Sequence, residues 1–307
     1  MMRLKFYLCK DTSNSAMQEI FTKKSKSLSI QFAFVVGWLL LLFFLNSLNN
    51  PAAKTISSTP AEMRFGAAIG QFLIFILPVL AFVLIFRAER LSFLTLTKKI
   101  HPLWLLSAIF LIFFSLPLIA WLGEINSAIK IPASFSGLEN WMKEKEIEVG
   151  KSTELLLGDK SVGGIVFNFL IIAFLAAFSE ELFFRGMIQK ILIQAKLNYH
   201  IAIWITGIIF SAVHLQFYGF IPRMVLGASI GYLFYFTGSL WISIIAHFIN
   251  NALYIVVALA SENVKVNPLE QGQENFDWPI VALSAMLMLG VFIFLRRITQ
   301  KQDSYDS

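Results

Sequence analysis

The segment 173-AFLAAFSEELFFRGMIQ-189 decides how the whole chain is interpreted. An apolar run is interrupted by three ionisable side chains, Glu180, Glu181 and Arg185, and then resumes. Inserting one Asp, Lys or Arg at the centre of a membrane helix costs about 3 kcal/mol. Three ionisable side chains in so apolar a segment therefore indicate a specific role, and the rest of the chain indicates what that role is.

The composition is that of an integral membrane protein. Hydrophobic residues make up 57% of the 307 residues and charged residues only 14%, with a mean hydropathy of +0.70, whereas soluble domains average about 25% charged residues. The net charge of +6 is explained by basic residues at the cytoplasmic ends of spans, so no nucleic acid is expected as a partner. Cys9 is the only cysteine, which excludes an internal disulfide and a CxxC metal site.

Eight apolar segments have roughly the length that a helix needs to cross the hydrocarbon core, and neither strand alternation nor an internal repeat competes with this interpretation. The segments are 30–48, 65–87, 103–123, 162–184, 199–217, 221–236, 239–260 and 278–296. The sequence therefore predicts an all-α, polytopic membrane helix bundle of about eight transmembrane helices with an intramembrane polar cavity. Residues 30–297 form this membrane domain, between a basic tail of residues 1–29 and a tail of residues 298–307. Because residues 1–29 are too long and irregular for a signal peptide, we expect an uncleaved first span.

The distribution of charge predicts the orientation. With the N-terminus in the cytoplasm, the cytoplasmic segments hold 16 of the 25 Lys and Arg residues, and the outer segments hold 9 together with 12 of the 19 acids. The positive-inside rule then places both termini in the cytoplasm, and we expect a bacterial inner membrane. The longest outer loop, residues 124–161, is either a short amphipathic helix on the membrane surface or a solvated linker.

Two further segments carry polar side chains inside apolar runs. Glu181 and Arg185 are four residues apart and can pair on one helical face, whereas Glu180 is rotated by about 100° and has no partner in its own helix. The segment GIIFSAVHLQF contains His214, and LWISIIAHFINNAL contains His247 and Asn251, which project from one face. One alternative is that the Glu/Glu/Arg trio snorkels at the cytoplasmic rim.

These residue types suit peptide hydrolysis if the three helices face one cavity. A carboxylate beside an imidazole can deprotonate water, which fits Glu180 with His214. A second imidazole and an amide can stabilise an oxyanion, which fits His247 with Asn251. Spacing alone leaves other chemistry open, including a transporter with an ion site at the midplane, although no paired broken helices are seen.

The three motifs resemble the signatures of the CPBP family, the CAAX proteases and bacteriocin-processing enzymes of the Rce1-type or Abi group. The family patterns EExxxR, FxxxH and HxxxN are matched by Glu180-Glu181-xxx-Arg185, Phe210-xxx-His214 and His247-xxx-Asn251. The resemblance covers about residues 160–255, in which no motif residue is missing.

The resemblance implies an intramembrane endopeptidase that acts on a peptide or membrane-protein substrate, within a lipid bilayer, from a cavity open towards the cytoplasm. It implies that Glu180 and His214 activate water and that His247 and Asn251 hold the oxyanion. Glu181, Arg185 and Phe210 then have supporting roles. A non-proteolytic scaffold or a bacteriocin immunity protein is the alternative.

Two questions stay open at this level. Glu180, His214 and His247 could supply a His₂Glu zinc set, but no HExxH is present, so a water activated without metal is favoured and zinc is the alternative. The predicted depths also conflict, since His214 lies about 22 Å along the fifth segment while Glu180 lies near the inner end of the fourth. Groups that share a water should lie at similar depths.

Overall fold

The computed structural model describes residues 28–48, 59–86, 93–260 and 277–305, and every regular element in these ranges is helical. Nine longer helices are present in them: α1 (Leu28–Leu48), α2 (Pro60–Phe86), α3 (Pro102–Ser127), α4 (Ser136–Gly158), α5 (Val162–Gln194), α6 (Tyr199–Ala212), α7 (Phe220–Thr237), α8 (Leu240–Ala260) and α9 (Trp278–Tyr305). The predicted all-α polytopic bundle is therefore confirmed.

Each of the eight predicted apolar segments forms a helix. Six of them, α2, α3, α5, α8, α9 and α7 with the turn before it, are long and apolar enough to cross a membrane by length and composition, whereas α6 and the apolar part of α1 (Leu28–Leu42) are shorter. The count of eight spans therefore stays a prediction. Residues 1–27 lie outside the described residues, and α9 continues to Tyr305, so the tail proposed at 298–307 begins inside a helix.

Two predicted boundaries were wrong, and correcting them removes the conflict of depth. Helix α5 continues to Gln194, ten residues beyond the predicted end, so Glu180 lies near its middle. Helix α6 ends at Ala212, so His214 lies in the turn that follows it. Hydropathy missed the extension of α5 because its polar residues, such as Arg185, are buried inside the protein. That burial also excludes the alternative of snorkelling at the rim.

The loop predicted at 124–161 is largely helical, because α4 occupies 23 of its residues. Arg64 near the start of α2 holds the end of this loop. Its guanidinium lies 2.9 Å from a carboxylate oxygen of Asp159, and its Nε donates to Oδ1 of Asn168 in α5 at 2.9 Å. The start of α2 is thereby joined to the end of the loop and to the first turns of α5, which lie 104 residues further along the chain at Asn168.

This end, which we call the loop-helix end, is formed by α4, the C-terminal ends of α3 and α8, and the N-terminal ends of α2, α5, α7 and α9. Asn126 near the end of α3 donates to the carbonyl of Phe217 at 2.7 Å and accepts from the N–H of Ile221 at 2.6 Å. The rings of Trp121 and Trp278 meet at 5.3 Å. The opposite end carries the segment 93–101 and the turn between α5 and α6.

Glycines allow α6 and α7 to pack closely. A Cβ on Gly207 would lie 2.9 Å from the carbonyl oxygen of Met224, and a Cβ on Gly227 would lie 2.9 Å from the ring of Phe210. Small residues at such contacts let helix backbones approach each other in membrane proteins. This approach places the end of α6, with Phe210, against α7 and α5.

Candidate active site

The three polar motifs converge on one carboxylate. Oε2 of Glu180 in α5 lies 3.7 Å from Nε2 of His214 and 3.9 Å from Nε2 of His247 in α8. This oxygen is buried and has no direct hydrogen-bond partner. The sequence-based expectation that the three motifs face one another is met by these distances.

The other oxygen of Glu180 is held from α2. Nε2 of Gln71 lies 3.4 Å from Oε1 of Glu180, and the hydroxyl of Ser179 donates to Oε1 of Gln71 at 2.5 Å. The sequence analysis did not name these two residues. The signal was present, because Gln71 is a lone polar residue in the apolar run 65–86.

Glu181, by contrast, is held by two short hydrogen bonds to one of its oxygens, while its buried Oε2 has no hydrogen-bond partner. Its Oε1 accepts from Nη1 of Arg185 at 2.6 Å, as the four-residue spacing predicts, and from Nδ1 of His247 at 2.8 Å. Nη2 of Arg185 donates to the carbonyl of Gly227 at 2.6 Å. Glu181 and Arg185 are fully buried, and such a pair is stable only when both charges are kept together.

The ring of Phe210 forms the floor between these groups. Its centroid lies 5.0 Å from the guanidinium carbon of Arg185, 4.9 Å from the ring of His214 and 5.7 Å from that of His247. The carbonyl oxygen of Phe210 is also 2.7 Å from Nδ1 of His214. The Phe of the FxxxH pattern therefore positions the histidine twice, through its ring and through its backbone.

The hydrogen-bond partners determine where both histidines carry their protons. A backbone carbonyl can only accept, so Nδ1 of His214 donates to Phe210 and a neutral ring keeps a lone pair at Nε2. An ionised carboxylate also only accepts, so Nδ1 of His247 donates to Glu181. His247 can donate from Nε2 as well only when both of its ring nitrogens carry a proton.

Asn251 lies one helical turn after His247 and lines the same cavity. Its Nδ2 is 3.3 Å from the carbonyl oxygen of Ile172, and its Oδ1 accepts from Asn250 at 3.3 Å. Both contacts are long for hydrogen bonds. The amide is thus weakly held in place compared with the residues around Glu181.

A cavity of about 1300 Å³ leads from Glu180 to the loop-helix end. Parts of α3, α4, α5, α7, α8 and the start of α9 line it, together with Glu180, His214, His247 and Asn251. The charge distribution predicts that this end lies on the outer side of the membrane, whereas the family resemblance implies a cytoplasmic opening. Because the cavity lies at the loop-helix end, these two predictions exclude each other.

Two further charged residues line the outer part of the cavity and were not singled out from the sequence. Glu146 of α4 is buried, and its Oε2 has no hydrogen-bond partner. Burial raises the pKa of the Glu146 carboxyl, against the opposing effects of a backbone hydrogen bond from Tyr218 and the charge of Arg223. Arg223 of α7 in turn donates to the side chain of Gln216 at 2.9 Å. No sequence motif predicts that Glu146 or Arg223 lines the cavity, because that position depends on how α4 packs against the other helices.

Three π-helical turns surround the carboxylates. They span Phe72–Ile76 directly after Gln71, and Phe169–Leu175 and Phe184–Gln189 on either side of the Glu pair. Single π turns inside α-helices occur frequently at functional sites, because the wider turn re-aims the side chains around it. Their clustering here supports the assignment of this region as the site.

The alternative of a zinc set depends on how the possible ligands are arranged. In the described ranges, no group of three or more His, Cys, Asp or Glu side chains is arranged to hold a metal ion. Glu180, His214 and His247 approach one another without forming such an arrangement. That the reaction proceeds without a metal ion therefore stays a prediction.

Comparison with known proteins identifies the region that carries the site. Residues 162–253 match the family model described as type II CAAX prenyl endopeptidase Rce1-like. The chain is also 28% identical over 140 residues to the uncharacterized protein YpbD of Bacillus subtilis (strain 168), which covers 44% of this chain and 67% of that protein. No solved structure matches the chain. The match confirms the resemblance stated from the three motifs.

Proposed function

We propose that this integral membrane protein is an intramembrane endopeptidase in which Glu180 and His214 activate a water molecule. Residues 162–253, which contain both side chains, match the model of the Rce1-like protease family. The observation that carries this proposal is the position of Glu180 Oε2, 3.7 and 3.9 Å from two imidazole nitrogens in a cavity. Separations beyond hydrogen-bond length between polar groups are typical of bridging by water.

The proton positions support the activation of water. A water between Glu180 and His214 would donate one hydrogen to the carboxylate and one to the lone pair at Nε2 of His214. Its own lone pair would then point away from both groups, towards a bound peptide. Transfer of a proton to Glu180 leaves a hydroxide that adds to the carbonyl carbon of the scissile bond. When the C–N bond breaks, protonated Glu180 returns the proton to the leaving amine.

The oxyanion of the tetrahedral intermediate needs donors, and His247 with Asn251 are proposed for this role. With both ring nitrogens protonated, His247 would offer Nε2–H to the oxyanion, since Glu181 holds its other N–H. The weakly held amide of Asn251 can turn its N–H₂ towards the substrate. Donors placed in advance for a developing negative charge act most strongly where water is excluded.

Comparative proteomics tests the reaction even though the substrate is unidentified. Membrane and secreted peptides are compared between cells that express the wild type and cells that express Glu180→Gln, with Glu154→Gln on the exposed surface of α4 as the matched control. Peptides produced by the wild type and by Glu154→Gln, and lost with Glu180→Gln, support the enzyme. If the wild type, Glu180→Gln and Glu154→Gln give identical peptide profiles, and cells with Glu180→Gln keep the wild-type phenotype, the non-proteolytic scaffold or immunity protein is favoured.

The role of metal is tested separately. We propose that purified active protein contains no stoichiometric zinc and that chelators leave its rate unchanged. Loss of zinc together with activity would instead assign Glu180, His214 and His247 as ligands.

We also propose that the protein lies in a bacterial inner membrane with both termini in the cytoplasm, which the charge distribution supports.

A further inference from the structure

We propose that Glu146 of α4 forms a subsite for a cationic nitrogen of the substrate, which is either a basic side chain or the free amino end of a peptide. That the ligand is a substrate rests on the proposed function, whereas the subsite itself rests on three features outside the catalytic groups. These features are a carboxylate oxygen without a partner, an arginine that is bound elsewhere and the charge of the cavity wall.

Glu146 is buried at the cavity wall, unlike the acids on the surface of the same helix. Glu139 and Glu148 stay partly exposed and are paired with Nζ of Lys143 at 2.6 Å and Nζ of Lys145 at 3.2 Å. Glu146 is only 2% exposed and lines the cavity, and its Oε2 has no hydrogen-bond partner among the described residues. A buried carboxylate oxygen without a partner is unfavourable, so it calls for a water, an ion or a ligand. Such a partner can reach Oε2 from the cavity.

Arg223 lies near Glu146 but does not satisfy this oxygen. Its Nη1 and Nη2 donate to the backbone carbonyl and to Oε1 of Gln216, at 3.2 and 2.9 Å. Gly219 leaves room for this position of the guanidinium, because a Cβ there would lie 3.1 Å from Nη2 of Arg223. The guanidinium is thus held by Gln216, and Oε2 of Glu146 stays open to a donor from the cavity.

The cavity wall carries more acidic than basic side chains. Among the described residues that line it, Glu124, Glu146 and Glu180 are acidic, whereas Arg223 is the one Lys or Arg residue. The acids still outnumber the cations when both ring nitrogens of His247 carry a proton. A cleft lined by one sign of charge attracts ligands of the opposite sign, so this wall favours a cationic group over a carboxylate or a phosphate.

The surroundings of Glu146 suit a cation on an apolar stem. Tyr218 donates a backbone hydrogen bond to the carboxylate, and Tyr218 and Val149 line the cavity beside it. An aliphatic stem can pack on such side chains while its charged end reaches the carboxylate. A charged donor also binds a carboxylate about twice as strongly as a neutral N–H of the peptide main chain does. Burial raises the pKa of the Glu146 carboxyl, and a bound cation would favour its ionised form.

Protection of a cysteine from labelling tests the subsite without turnover. In a Cys9→Ser background, Val149→Cys places a thiol on the cavity wall one helical turn from Glu146, and N-ethylmaleimide labels it in purified protein in detergent. n-Butylammonium, which has the atoms of a lysine side chain, should slow the labelling, whereas 1-butanol at the same concentration should not. Glu146→Gln should raise the butylammonium concentration for half-protection by about tenfold or more, because a charge-assisted hydrogen bond is lost.

Two controls separate binding from folding. Glu144→Gln, on the exposed surface of α4, should leave the protection unchanged. Glu146→Gln should unfold at the same temperature as the wild type or at a higher one, because the substitution removes a buried charge that has no ion-pair partner. If Glu146→Gln does not fold, the comparison of butylammonium with butanol in protein that keeps Glu146 decides the question alone.

The outcomes distinguish the subsite from the reaction. Equal protection by butylammonium and butanol, protection by neither, or protection that Glu146→Gln leaves unchanged would overturn the subsite. Nα-acetyl-lysinamide carries only the side-chain ammonium and alaninamide only the α-ammonium, so protection by either supports the subsite and identifies the group, whereas protection by neither would overturn a role in substrate binding. If the proteomic test fails while protection holds, the subsite stands without the hydrolysis, and the reverse result leaves the enzyme without this subsite.

Discussion

Glu180 and Glu181 are neighbours in sequence, yet the structure treats them as two different kinds of acid. Glu181 accepts at 2.6 and 2.8 Å from Arg185 and His247 and is shielded from the cavity. Glu180 lines the cavity, and its contacts are 3.4 Å or longer. A carboxylate bound by charge-assisted hydrogen bonds and shielded from the cavity has a structural role, whereas one that lines the cavity beside two imidazoles, without a short contact, is available for chemistry. The one-residue step rotates the second acid by about 100°, and this rotation separates the two tasks.

The largest expected effect is on the cavity-facing acid. Glu180→Gln keeps the size of the side chain but removes its basicity, so we expect turnover of an identified peptide substrate to fall by about 10²–10⁴. The thermal unfolding midpoint in detergent should stay close to that of the wild type, because no short contact is lost. Full activity of Glu180→Gln would remove the proposed mechanism.

Substitution of the buried acid, Glu181, should mainly lower the stability of the protein. Glu181→Gln or Arg185→Met leaves one charge unpaired in the protein interior, which typically costs about 3–5 kcal/mol. The double variant should be more stable than either single variant, since no lone charge remains. Thermal unfolding in detergent measures this, and a double variant less stable than both singles would contradict the idea that the pair acts as a unit.

The oxyanion donors give an effect of intermediate size. Loss of one such donor typically costs about 10²–10³ in rate, so Asn251→Ala should retain measurable but strongly reduced turnover. Its stability should hardly change, because the contact it loses to Ile172 is 3.3 Å long. Ser152→Ala on α4 serves as the control. A rate for Asn251→Ala equal to that of the control would remove Asn251 from the oxyanion site.

The smallest effect concerns the packing under both acids. A Cβ at Gly227 would meet the ring of Phe210 at 2.9 Å, so Gly227→Ala should destabilise the protein by about 1–3 kcal/mol and slow turnover through the displaced histidines. Gly290→Ala in α9 is the matched control, because nothing lies within 4 Å of its Cβ. There the substitution should be neutral or stabilise the helix by about 0.5–1 kcal/mol. Equal destabilisation of both variants would exclude the proposed contact.

The sequence predicted those parts of the molecule that depend on local pattern. Apolar length located all eight helical segments, and four-residue spacing predicted the Glu181–Arg185 pair. The end of α5 was misplaced because hydropathy cannot distinguish a polar residue in water from one buried with partners, as Arg185 is. The boundary at His214 failed for a related reason, since an apolar run continues past the last helical turn of α6.

The remaining parts of the site depend on contacts between distant segments. Gln71 reaches Glu180 across 109 residues of sequence, and Glu146 joins the cavity only because α4 folds over it. The proton positions on His214 and His247 likewise depend on acceptors from the fold, a carbonyl in one case and Glu181 in the other. No periodicity or spacing contains this information.

The π turns of α5 carry a consequence for insertions and deletions. A π turn closes its hydrogen bond over one more residue than an α turn, so deletion of one residue within Phe169–Leu175 can be absorbed by reversion to ordinary α geometry. The residues beyond it would keep their angular phase. Deletion of one residue between Glu180 and Arg185, where α-helix continues to Phe183, would rotate Arg185 by about 100° away from Glu181. The π turn at Phe169–Leu175 can therefore absorb the loss of one residue in the part of α5 that lines the cavity before Glu180.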